Sequence, residues 1–345
     1  MYFLKNIDRN ASASAFGWQF QIDMGIYLML KYFNKFNSLK LEGESEDIEL
    51  TLNNKKKIYA QAKSKQNVND SDHSSYSTKL CEALDSLSDV DSSSAELLIY
   101  ISNLEPNPLN SGTKEFDYAC TFLKYNELSD KSQKKIDNQL KKLNKDIDYD
   151  KLLIAKVPFF GEDEYQKQKF VIEQIEKFLS FVSSDLISYK ERFLDIWESK
   201  ALNNASEKEL KHRISKDDIL WDLIVIKIGD KNSLNYSNYN NINEEDFYEA
   251  IEKYEDIINF KTSNFQVYNK IVNLIDKVKM TNNQIRSDEF IDTYDNEIYS
   301  IVFNNTEKSS NEYIERICSK IVAKKIFIKN RTIEDFFERV NNYDN

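Results

Sequence analysis

The chain has 345 residues, 41% of them hydrophobic and 30% charged, with a formal net charge of −11. That composition excludes a disordered chain, and the length suggests about two domains. The acidic balance excludes a protein whose whole surface grips nucleic acid, so any basic contact surface has to be local.

Cys81, Cys120 and Cys318 are widely spaced and odd in number, which gives neither a disulfide framework nor a zinc spacing. With His73 and His212 the only histidines, zinc chemistry and a Ser-His-Asp triad are both poorly supported. The opening MYFLKNIDRN lacks the apolar segment of a signal peptide, and no apolar run approaches the ~20 residues of a membrane span. A reducing cytoplasm and no membrane partner are the expectation. Low Gly and Pro, 6 and 3, favour long helices.

In chain order, the small polar residues 11–14 read as a flexible lead-in. Residues 16–36 predict a helix, with Phe20, Met24, Tyr27, Leu28 and Lys31 at helical spacing. Residues 39–52 read as extended. Asn53-Asn54 makes a turn, and residues 58–63 form a second strand, together a β-hairpin. Residues 74–87 predict a helix with Leu80, Leu84 and Leu87 on one side. Residues 96–102 (ELLIYIS) have the continuous apolar run of a buried strand. Residues 116–126 and 129–144 are expected to be helices, 151–158 a strand and 164–181 a helix. This alternation predicts an α/β layer architecture, a mixed sheet flanked by helices, over residues 1–183.

Beyond residue 183 the pattern becomes mostly helical, and residues 184–345 are read as a second, α-helical domain. Ser215 with Asp217 and Asp218, and Asn243 with Glu244, Glu245 and Asp246, are helix-start signals. Phe247, Ile251, Tyr254 and Ile258 form one apolar stripe; Val267, Ile271, Leu274 and Val278 form another. Thr332 followed by Asp335 resembles a capping box. Trp197 and Trp221 are expected to be core anchors, and His73 a loop residue.

The stretch from Leu41 to Lys65, LEGESEDIELTLNNKKKIYAQAKSK, carries the chemistry. Alternation on a strand puts Gln61 and Lys63 on one face. The hairpin then folds them toward Asp47. Three such polar groups would be costly if buried unpaired, and a metal ion with its phosphate ligand is one arrangement that satisfies them. Phosphodiester hydrolysis needs an ion that polarises the phosphoryl oxygen and activates water. Mg²⁺ (or Mn²⁺) would be held by Asp47, by the Gln61 amide oxygen and by the backbone carbonyl of Ala62, with Lys63 beside the scissile phosphate. Residues 50–69 hold no acid but include Lys55, Lys56, Lys57, Lys63 and Lys65. Lys55, Lys56, Lys57 and Lys65 are therefore candidate DNA contacts, or simply the solvated face of a hairpin.

Asp-(x)n-Gln-x-Lys after a first helix resembles the Gln-containing branch of the PD-(D/E)xK, restriction-endonuclease-like nucleases. The wider frame resembles the cap-four type double-stranded DNA endonuclease domain of bacterial antiphage systems. The matching residues are Gly17-Trp18-Gln19-Phe20-Gln21, Glu42-Gly43-Glu44-Ser45-Glu46-Asp47-Ile48, Tyr59-Ala60-Gln61-Ala62-Lys63 and Leu98-Ile99-Tyr100-Ile101-Ser102-Asn103. The resemblance covers roughly residues 10–180. It implies that Asp47 is the motif aspartate and Lys63 the motif lysine. Gln61 stands where many relatives carry Glu, so one negative charge is missing from the cage. Gln21 lies where a helix residue often supports the metal, and Glu44 is an additional candidate ligand.

The resemblance further implies a defence effector that cuts double-stranded DNA. Control would come through the helical domain, by homo-oligomerisation or by partners. An SMC-like ATPase and a small accessory subunit are the partners in Lamassu and other ABC three-component systems; in other relatives a cyclic-oligonucleotide sensor fills that place. The acidic net charge would keep a monomer off the duplex, and assembly would restore affinity through multivalency. Two rival readings remain: a degenerate module that binds nucleic acid without cutting it, and an assembly or sensor subunit.

Overall fold

A computed structural model of the chain describes residues 12–66, 73–104, 115–116, 120–160, 164–206, 213–229, 239, 242–282, 284–303 and 311–343. The chain divides into two compact units, Met1–Leu223 with Val340–Asn345, and Ile224–Arg339.

The first unit is α/β. Helix α1 (Ser12–Lys31) leads into a meander of β1 (Phe36–Leu41), β2 (Ile48–Leu52) and β3 (Lys57–Lys63). Helix α2 (His73–Ser88) carries the chain to β4 (Ala95–Ser102), parallel to β3. Then follow β5 (Thr121–Lys124), α3 (Asp130–Leu143), β6 (Leu152–Lys156), α4 (Glu164–Val182), α5 (Lys190–Ser206), β7 (Ile214–Ser215) and α6 (Lys216–Gly229), which belongs to this unit as far as Leu223. The seven strands form one mixed sheet in the order β5-β6-β4-β3-β2-β1-β7. Its middle is parallel, β3 to β4 to β6, as helical crossovers require, and the other pairings are antiparallel.

Register sorts the side chains. Tyr59, Leu98, Tyr100, Leu152 and Ile154 face one side, where they form a core with Tyr76, Leu80 and Leu84 of α2 and Ile136 and Leu140 of α3. The alternate residues Leu39 and Leu41 face α1, so closely that a Cβ on Gly25 would stand 2.8 Å from Leu41. Helices α1, α4 and α5 pack on one another over that second face. The result is a three-layer sandwich with β3 and β4 buried at its centre.

Several expectations are corrected. Residues 39–52 are not one strand: the chain folds back at residues 42–47, where Glu42 takes φ 48° and Gly43 follows, so β1 pairs with β2. Of the helix expected over residues 116–126, residues 120–126 are described and form no α-helix. β5 pairs with β6 and is followed by a 3-10 turn, Tyr125–Glu127; a four-residue segment takes the structure its neighbour offers. The helix expected from residue 16 begins at Ser12, inside the segment read as a flexible lead-in. His73 opens α2 instead of lying in a loop.

The first unit also runs past residue 183. Trp197 of α5 is buried against Phe178 and Phe193, and its indole N–H donates to Asp222 over 3.2 Å. β7 extends the sheet beyond β1, and Tyr343 packs on Phe178 and Phe181 of α4. Trp221, by contrast, is 64% exposed and anchors no core. Ser215 and Asp218 cap α6 reciprocally, Asp218 N–H to the Ser215 hydroxyl at 3.1 Å and Ser215 N–H to the Asp218 carboxylate at 2.8 Å.

The second unit is helical, as expected: α7 (Glu244–Ser263), α8 (Phe265–Lys279), α9 (Ser287–Thr293), α10 (Asp295–Val302) and α11 (Glu312–Asn341). Its core gathers Phe247, Ile258, Ile271, Phe290, Ile298, Ile321 and Ile326. Asn243 caps α7 by accepting from Glu245 N–H at 2.9 Å. Thr332 starts no helix; it lies inside α11 and its hydroxyl donates to the Ile328 carbonyl at 2.8 Å, the back-bond that a mid-helix threonine makes. Among the described residues no helix is long and apolar enough to cross a membrane.

Candidate active site

The site lies where β2 and β3 separate. Their ladder ends at Ile48↔Ala60. One residue before Ile48 the chain turns away toward β1, and the freed Ala62 N–H needs a partner. The Asp47 carboxylate supplies it, accepting from Ala62 N–H at 3.2 Å. The same oxygen receives the Lys63 ammonium at 3.4 Å. The two residues read as converging from opposite strands therefore meet. The side chains remain open to water, 14% for Asp47 and 26% for Lys63. In an antiparallel ladder a residue's N–H and C=O leave on the same edge, so the Ala62 carbonyl also faces the Asp47 side.

Gln61 is buried between two carboxylates. Its amide N–H₂ donates to Asp47 at 3.3 Å, lies 3.4 Å from the Ser86 hydroxyl, and makes a short contact with Glu46. Ser86 in turn donates to Glu46 at 3.0 Å. Glu46 is the member that alternation on a strand could not supply. Read as part of a straight strand it would share a face with Ile48 and point away from Gln61; the turn at residues 42–47 rotates it onto the α2 side. Burial pushes its carboxyl up to about 7, the Gln61 and Ser86 hydrogen bonds oppose that rise, and the charge of Asp47 adds to it. Glu42 stands at the rim, its carboxyl raised by burial and by Asp47.

Glu49 holds the turn in place. Its side chain is 1% exposed and accepts from Ser45 N–H at 3.0 Å. It pairs with Lys57 at 3.0 Å and Arg213 at 3.5 Å. Although burial works against its charge, the Ser45 N–H and the two cations hold it below the ordinary carboxylate range. Gly43 is required here, since a Cβ would stand 2.4 Å from the Glu49 carboxyl carbon.

Other expected site residues lie elsewhere. Glu44 is exposed at the tip of the turn, and Glu46, not Glu44, joins Asp47. Gln21 sits on α1, which packs over the other sheet face, and none of the hydrogen bonds of Glu46, Asp47, Gln61 or Lys63 reaches it. Gln19 and Asp23, either side of it, instead bond to each other and to Glu198 of α5. The lysine run is divided by β3 itself. At ~3.3 Å per residue, Lys57 and Lys63 are about 20 Å apart. Lys55 and Lys56 lie at the far turn, Lys56 paired with Glu96 at 3.5 Å, and Lys57 is spent on Glu49. Of the expected DNA contacts only Lys65 lies at the Asp47 end.

The donor set can be tested against a divalent cation. Among the described residues no three His, Cys, Asp or Glu side chains converge. What converges is two carboxyl groups, an amide and a hydroxyl, with two acids facing one ammonium. The Gln61 amide lies where both acids point, and amide O and N are interchangeable by rotation. A hard cation bound by one or two carboxylates fits this set; the cysteine and histidine ligands on which zinc sites are usually built are missing from it. No family model matches the chain, and no curated protein or solved structure matches it.

Proposed function

We propose that the α/β unit is a Mg²⁺- or Mn²⁺-dependent deoxyribonuclease of the PD-(D/E)xK class, cutting double-stranded DNA. The observation that carries the reading is the Asp47 carboxylate bridging the Ala62 N–H and the Lys63 ammonium, with Glu46 buried beside it.

Asp47, Glu46, the Gln61 amide oxygen and the Ala62 carbonyl are the groups that would hold the ion. When bound, the ion supplies Lewis-acid polarisation of the phosphoryl oxygen and a more acidic water. The protein does the rest. Ala62 N–H and Lys63 fix the Asp47 carboxylate from two directions. Ser86 fixes Glu46. Lys63, open to solvent on one side, places its ammonium where charge accumulates on the phosphoryl oxygens, which is worth most when the donor is preorganised. α2 closes the Glu46 side of the site through Ser86, while Asp47 stays open to water.

The full chain incubated with supercoiled plasmid should nick it in Mg²⁺ or Mn²⁺ and leave it intact in EDTA. Asp47→Asn and Lys63→Ala should each lower the rate by roughly 10²–10³-fold. Equal nicking by wild type and both variants would overturn the reading. Gln61 favours one alternative, nucleic-acid binding without cleavage, because its N–H₂ already satisfies both acids. A gel shift with no cleavage in either metal would select it.

The wider role proposed is that of an effector in antiphage defence, restrained through the helical unit by self-assembly or by partners such as an SMC-like ATPase. The resemblance in residues 10–180 and the net charge of −11 support this.

A further inference from the structure

We propose that Asp23 of α1 and Glu198 of α5 hold one proton between them at neutral pH, a latch that ties the two helices together and opens when the proton is lost. The pair lies in the helical layer on the sheet face away from α2.

Asp23 is fully buried, and Gln19, one turn before it on α1, spans the two acids. The Gln19 amide N–H₂ donates to Asp23 Oδ1 at 3.1 Å and to Glu198 at 2.7 Å, so one nitrogen reaches both carboxyl groups. Gln168 of α4 donates to the same Glu198 oxygen. Asp23 Oδ2 is buried and has no hydrogen-bond partner. Among the described residues Asp23 makes no ion pair either. An ionised carboxylate held in this way would be an unpaired charge away from water, and a buried group in that position neutralises instead. A proton on Oδ2 removes the charge and makes Asp23 a donor, with Glu198 as the acceptor beside it. Of the groups around Asp23, Glu198 is the titratable one: α4 offers Gln168, α1 offers Gln19, and the sheet beneath α1 is apolar at Leu39 and Leu41. Burial holds the Asp23 carboxyl well above the ordinary carboxylate range and Glu198 raises it further, against the pull of the two amides.

A hard cation would satisfy the same oxygen, but it takes roughly six or more oxygen ligands, and Asp23 is closed to the water that would complete them. A proton needs only the two acids. The latch also bears on the turn that carries Glu46 and Asp47. Gly25, close after Asp23 on α1, lies against Leu41, and Leu41 leads into that turn. Loss of the proton sets two negative charges against each other in a dry setting and drives α1 from α5. The sign follows from the raised carboxyl: the stabilisation is fully present below the ordinary carboxylate range and is lost as pH rises through the raised value of Asp23.

The test is infrared absorption of the full chain in EDTA at neutral pH. The carbonyl band of a protonated carboxylic acid should be present, should shift when the aspartates carry an isotope label in the carboxyl group, and should vanish in Asp23→Asn. The label separates Asp23 from Glu46, whose carboxyl is also raised, to about 7. Asp23→Asn keeps a donor for Glu198 and cannot ionise. Unfolding of wild type should therefore release about one proton more than unfolding of the variant, and the variant should gain stability on wild type as pH rises. A wild type with no label-sensitive band overturns the proposal, whether or not Asp23→Asn folds. So does a label-sensitive band that survives Asp23→Asn, and so do stability curves of the two proteins that run parallel with pH. A melting temperature that Mg²⁺ or Ca²⁺ raises in wild type but not in Asp23→Asn would overturn it too, by putting a cation where the proton is assigned.

Discussion

The two ends of β3 hold the same kinds of residue in opposite balance. At the Lys57 end one buried carboxylate, Glu49, is served by two cations and a backbone N–H. At the Lys63 end two carboxylates, Glu46 and Asp47, share one ammonium. The first cluster is closed and structural. The second sets two carboxyl groups against one ammonium and is open to water at Asp47, the feature on which the proposed cation site rests. Paired charges on a strand do not mark a site by themselves; the difference between the two ends is balance and solvent access.

The largest effect on that contrast should come from the closed end. Glu49→Ala strands Lys57 and Arg213 beside each other and releases the Ser45 N–H. Breaking a buried pair from one side costs about 3–5 kcal/mol, and the partly exposed cations put this case at the low end, about 3 kcal/mol. Urea unfolding measures it, and a loss no larger than that of a surface substitution would mean the turn is not clamped as described. The open end should respond to pH instead. The Glu46 carboxyl is raised from 4.5 to about 7 in the fold. Its protonated form is therefore the stabilising one: that contribution is fully present below about pH 4.5 and lost as pH rises through about 7. Glu46→Gln stays neutral, so in EDTA it should gain on wild type between pH 5 and pH 8, by on the order of 2 kcal/mol. Parallel stability curves for the two proteins would show that Glu46 is not strained by its setting. The smallest effect is expected from Lys55→Gln. Lys55 lies at the solvated turn, so stability should move by less than about 0.5 kcal/mol and plasmid nicking should not change.

Part of this site was legible because strand alternation is a local rule. It put Gln61 and Lys63 on one face, and the hairpin pattern carried them toward Asp47. Glu46 was hidden by the same rule, because parity from Ile48 assigns it to the wrong face and only the turn after β1 corrects that. The lysine run misled for a related reason: residues close in sequence on an extended strand are far apart in space. Ser86 comes from a helix that follows β3 in the chain, and its distance from Glu46 depends on how α2 packs.

Helix starts at Ser215 and Asn243, the buried runs of β4 and β6, and the change to helical pattern in the second half were fixed by neighbours within a few residues, through capping and apolar periodicity. The fold-back at residues 42–47, the strand at Thr121–Lys124 and the extension of the first unit beyond residue 183 were decided by tertiary partners. Short segments with weak local preference adopt whatever pairing buries their backbone groups, and that pairing lies elsewhere in the chain.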